Sequence, residues 1–133
     1  MAASDNVVRA GLTPKFKDVA VLVDMLTYRY GSAESQKMKG KTFGPHSLLY
    51  DPPIDEFSVV LTRLAQGDNE THQPIAGPSI LLVTRGAGKL EAGNSQFDLK
   101  DGYVYFVGAN VSISATATGE AGLEFYRAFT VPS

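Results

Sequence analysis

Ser4, Asp5 and Asn6 stand side by side, Arg9 follows, and Gly11 and Lys15 complete the stretch ASDNVVRAGLTPK. A guanidinium is always charged and presents several directed N–H donors. Held in place, it stabilises negative charge that develops on an oxygen during a reaction. Lys15 supplies a second positive charge. Asp5 accepts from a hydroxyl or holds Arg9, Asn6 does either, and Gly11 lets the backbone turn tightly. The chemistry on offer is oxyanion stabilisation beside a hydroxylated or anionic ligand. The same residues also fit a surface cap in which Asp5 and Arg9 pair at i, i+4.

Elsewhere the chemistry is thinner. Cysteine is absent, which excludes disulfides and thiolate chemistry, and the only histidines are His46 and His72. Lys37, Lys39 and Lys41 are spaced so that they could meet a phosphate, or form a solvated loop. Arg127 falls on the apolar face of the last expected strand. Its stem is expected to pack there and its head to reach a carboxylate or the rim.

Length and composition bound what positions these groups. The 133 residues suffice for one domain with a real core. A net charge of −2 argues against a nucleic-acid binder, which carries a basic excess. No apolar run approaches the roughly 20 residues of a membrane span, and no signal peptide is visible, so the expected location is cytoplasmic.

Thr13 and Pro14 read as the N-cap and first residue of a helix. Val19, Leu22, Val23, Leu26 and Tyr30 continue at helical spacing and Gly31 stops it, predicting one helix over 14–30. Residues 31–53, rich in Gly, Pro and Lys, read as connection. From Glu56 the period becomes two. Phe57, Val59 and Leu61 alternate with Ser58, Val60 and Thr62. SILLVT reads as a strand, RGAG as a turn and KLEAG as a short strand. Phe97 with Leu99, then YVYFV, VSISATAT and LEFYRAFTV follow. Six to eight short strands parted by Gly-rich turns predict a sandwich or barrel. The expected organisation is a loop over 1–13, a helix and connection over 14–53, and a β domain over 54–133.

The Gly-containing segments 77–93 and 102–113 resemble the two motifs of the cupin jelly roll. Metal-binding cupins place two histidines and a glutamate in the first motif and a histidine in the second. Aligned on Gly86, those slots fall near His72 and Pro74, on Ser79, and on Ile113. Isoleucine cannot coordinate, so the resemblance implies a metal-free barrel, and His72 is expected to be a loop histidine.

The opening stretch is similar to the signature of the type I mannose-6-phosphate isomerases. Met1, Ala2, Ser4, Asp5, Asn6, Arg9, Ala10, Gly11, Thr13, Pro14 and Lys15 match it. LLYDPPIDEFSV, GPSILLVTRGAGKL, VYFVGANVSI and LEFYRAF resemble the C-terminal region of the same family, especially its fungal members. The resemblance implies an aldose–ketose isomerase that interconverts mannose 6-phosphate and fructose 6-phosphate through an enediolate and feeds GDP-mannose supply. It implies Arg9 as the catalytic residue and Asp5, Asn6 and Lys15 as substrate-binding residues. The family's zinc is held by a glutamine, two histidines and a glutamate that all precede the stretch present here. The chain is therefore expected to be the C-terminal portion of a longer enzyme, binding no metal itself, inert alone, and partnered by the missing N-terminal catalytic half and by a sugar phosphate. A non-catalytic cupin that binds a sugar phosphate, and a module that docks on a separate N-terminal half, are the alternatives.

Overall fold

The computed structural model describes residues 8–9 and 14–131. The chain forms two compact units, Met1–Gln36 and Lys37–Ser133. Among the described residues no helix is long and apolar enough to cross a membrane.

The first unit holds two short helices, α1 (Val19–Asp24) and α2 (Ala33–Gln36). The single helix expected over 14–30 is cut to one and a half turns. Asp18 is the N-cap, its carboxylate accepting from the Val21 N–H at 3.1 Å, and Met25 rather than Gly31 is the C-cap. Neither helix buries a residue, and Val19, Val23 and Leu26 are exposed. Helices draw most of their stability from packing an apolar face, so a correct apolar period without burial sustains only a short helix.

The second unit is a cupin-like β barrel. Its strands are β1 (Lys41–Gly44), β2 (Ser47–Tyr50), β3 (Ser58–Leu64), β4 (Asn69–His72), β5 (Ser79–Ala92), β6 (Ser95–Lys100), β7 (Val104–Val107), β8 (Ile113–Ala117) and β9 (Leu123–Phe129). They run β1-β2-β3-β9-β5-β8-β4, with β6 and β7 also pairing β5, and all pairs are antiparallel. β1 and β2 form a hairpin closed at Pro45-His46 inside the segment expected as connection, and β2 pairs with β3.

The RGAG turn does not exist. β5 runs straight through it for 14 residues, pairing with β9 and β7 on one sheet and with β8 and β6 on the other. A register shift between Val83 and Arg85 and a left-handed Gly86 (φ 86°) bend it from sheet to sheet. The two glycines therefore mark a barrel corner and not a hairpin.

Alternation sets the interior. Leu81 and Val83 of β5, Ile113, Ala115 and Ala117 of β8, and Leu123 and Phe125 of β9 are buried together with Leu90 and Leu99. On β3, Val60, Leu61, Thr62 and Leu64 are buried, and Phe57 lies exposed. The strand is thus buried on both faces at its centre and does not keep a simple alternation, and Thr62 is accepted inside because its hydroxyl is bonded.

Candidate functional site

Of the candidate residues in the opening stretch, Asp5 and Asn6 lie outside the described residues, as does Thr13. Arg9 and Lys15 are both exposed and precede α1.

The barrel interior holds a second polar group, largely unforeseen. His72 is no loop histidine: it ends β4, 1% exposed, and pairs in register with Ile113 of β8. Its ring lies edge-on to Phe43 (centroids 5.3 Å apart) and against Phe125 (5.7 Å). Its Nε2 stands 3.0 Å from Thr62 Oγ1 and 3.3 Å from Ser47 Oγ, and those two hydroxyls are 2.6 Å apart. Thr62 and Ser47 face each other because β2 and β3 place them at one register position. Glu70 is buried beside this group, where its carboxylate accepts from the His46 N–H at 2.9 Å.

Arg127 points inward from β9, as its place in the alternation requires, and is completely buried. Its head meets no carboxylate, contrary to expectation. Nε donates to Ser79 Oγ at 2.9 Å, and both Nη atoms lack a partner among the described residues. Register carries it there: Arg127 opposes Val60 on β3 and Leu81 on β5, two residues from Ser79. Ser47 and Thr62 are the cluster members that sequence reasoning missed. The available signal was Thr62 sitting in phase with Val60 and Leu64.

Burial makes both cationic groups harder to charge. The Arg127 pKa is lowered to about 10, which leaves it protonated at neutral pH. That of His72 is lowered to about 4, first by burial and second by the charge of Arg127. The unfolded ring takes up its proton near 6.5, and the folded ring resists until about pH 4. The unfolded state thus binds more protons inside that window, so stability is full above it and falls as pH drops through it. Stability measured in urea should decline by about 2 kcal/mol between pH 7.5 and 5 relative to the His72→Gln variant. Parallel pH profiles for the two proteins would show that the ring titrates normally.

The cupin slots can now be checked for metal chemistry. Of the four slots, His72, Ser79 and Ile113 are buried, at 1%, 3% and 2% exposure, and Pro74 is exposed. The set does not fit a metal: Ser79 is bound to a guanidinium and Ile113 has no donor atom. Among the described residues no group of three or more His, Cys, Asp or Glu side chains could hold a metal ion.

Comparison with known proteins finds similar chains. The family described as phosphomannose isomerase type I C-terminal matches residues 47–95. The mannose-6-phosphate isomerase of Aspergillus fumigatus is 48% identical over 97% of this chain and 31% of its own length. That of Saccharomyces cerevisiae is 44% identical over 100% of this chain and 32% of its own. The Salmonella typhimurium mannose 6-phosphate isomerase, solved with its fructose 6-phosphate substrate and zinc, superposes with a TM-score of 0.77 at 28% identity, over 99% of this chain and 32% of that one. The chain thus spans about a third of the length of the relatives it matches.

Proposed function

The chain belongs with the C-terminal part of the type I phosphomannose isomerases, and on that premise we propose that it supplies the Arg9 loop and the metal-free barrel of an enzyme interconverting mannose 6-phosphate and fructose 6-phosphate. The observation that carries this reading is likeness to such isomerases along 97–100% of the chain, including its charged opening stretch. Moving a proton between C1 and C2 of the sugar develops negative charge on oxygen, and Arg9 stabilises it. Asp5 and Asn6 hold the guanidinium and the sugar hydroxyls, and Lys15 meets the sugar or its phosphate. No step is assigned to a metal on this chain, because its described residues offer none a coordination sphere. The zinc of the reaction belongs to the N-terminal part of the longer enzyme.

The outer barrel face suits contact with such a part. Ile80 pairs with Phe106 and Leu82 with Val104, and these apolar side chains are 53%, 75%, 41% and 59% exposed. Contiguous apolar surface of this kind marks an interaction site.

The chain by itself is expected to show no turnover of either sugar phosphate, with or without added zinc, in a coupled assay. Activity should appear when it is joined to the N-terminal two-thirds of the Aspergillus fumigatus relative. Sustained zinc-dependent turnover by the chain alone, abolished in Arg9→Ala, would show that it holds a complete site. A well-folded but inactive chimera would count against the isomerase reading.

A further inference from the structure

We propose that the barrel interior is a binding site for a small inorganic anion of halide size, held by Arg127 and His72. The site stands on the second unit alone and does not depend on the isomerase reading. Arg127 is fully buried, yet its only partner among the described residues is the neutral hydroxyl of Ser79, at 2.9 Å. Both Nη atoms are shut off from solvent with no acceptor, and His72 Nδ1 is in the same condition. A buried charge is ordinarily paired or hydrogen-bonded throughout.

The two open Nη positions of Arg127 are donors, and His72 Nδ1 is one in the tautomer that a hydroxyl relay on Nε2 sets. The two Nη atoms carry only N–H groups. On the other side of His72, Thr62 and Ser47 lie within 3.0 and 3.3 Å of Nε2 and 2.6 Å of each other. A relay in which Ser47 donates to Thr62 and Thr62 donates to Nε2 satisfies both hydroxyls and leaves the ring proton on Nδ1. Ser79, accepting from Arg127, keeps its own hydroxyl hydrogen to give. Donors without acceptors, around one positive charge, call for an acceptor that is itself negative. Water would take two of these bonds and leave the charge uncompensated.

The slot logic of the barrel leads to the same place. The alignment on Gly86 matches His72, Ser79 and Ile113 to ligand slots of metal-binding cupins, and here the guanidinium bonded to Ser79 supplies the cation. A fixed cation in the barrel interior selects an anion in place of the usual metal–ligand pair. The donor atoms are shut off from solvent and His72 is packed between Phe43 and Phe125, which suits a small occupant.

The test uses the whole 133-residue chain. Thermal midpoints are measured in sodium bromide and in sodium gluconate at equal ionic strength, and crystals grown in bromide are examined for anomalous scattering. The expected result is a saturable rise in midpoint with bromide but not gluconate, and a bromide peak within hydrogen-bond distance of Arg127 Nη1 and Nη2. Arg127→Met should keep the fold and lose the bromide dependence. Should that variant fail to fold, the wild-type bromide peak and Arg127→Lys, expected to bind bromide more weakly, carry the decision. Equal midpoints in both salts, or a peak in crystals without any saturable effect in solution, would overturn the proposal.

Discussion

Arg9→Ala should lower turnover about 10²–10³-fold in an isomerase whose C-terminal part is this chain, the usual scale for removing one transition-state charge stabiliser. The sugar's developing oxyanion gains more from a fixed guanidinium than the neutral ground-state sugar does. The loss should therefore fall on turnover, with a much smaller change in KM. The chimera with the Aspergillus fumigatus N-terminal portion provides the measurement. Arg9→Lys should recover only part of the activity, because an ammonium keeps the charge but not the forked donors. Turnover within about threefold of the parent would place Arg9 away from the reacting atoms.

The largest structural effect is expected at Gly86, on which the barrel's closure depends. The residue is left-handed at φ 86°, and a Cβ built there would stand 2.0 Å from the Gly122 carbonyl oxygen and 2.8 Å from its carbon. Both neighbours are backbone, so no side chain can swing aside. Gly122 is itself left-handed and hemmed in by the Leu64 carbonyl, 2.3 Å from its own built Cβ position. Gly86→Ala combines a left-handed alanine with a backbone overlap and should cost about 3–5 kcal/mol. Urea unfolding followed by circular dichroism reads this directly. Gly67 is the control: it is equally left-handed (φ 86°), but nothing lies within 4 Å of its built Cβ. Gly67→Ala should cost only the conformational part, about 1–2 kcal/mol. Equal losses at the two positions would show that the close approach of β5 to Gly122 does not matter.

The amino-acid sequence by itself determined the strand-rich character of the chain and much of its core. Strict alternation in VSISATAT buries Ile113, Ala115 and Ala117, and the same period puts Arg127 inward on β9. Side-chain direction in a strand follows from position alone, so these assignments needed no neighbour. The charged opening stretch and its likeness to isomerases were equally legible, because both rest on residue identity and order.

Tertiary structure decided the rest. Helical spacing over 14–30 was genuine, but α1 closes after Asp24 because neither helix buries a residue. RGAG carries every local mark of a turn, yet β9 and β8 pair along both halves of β5 and hold it extended. The hairpin at 41–50 was hidden because its short strands gain their hydrogen bonds from each other and from β3. Thr62 looked outward-facing on polarity, and His72 looked like a loop residue. Only closure of the barrel brings residues ten and twenty-five positions apart in the chain within hydrogen-bond distance of one another. A buried polar cluster is created by partners distant in sequence, so local pattern announces its members singly and the fold alone assembles them.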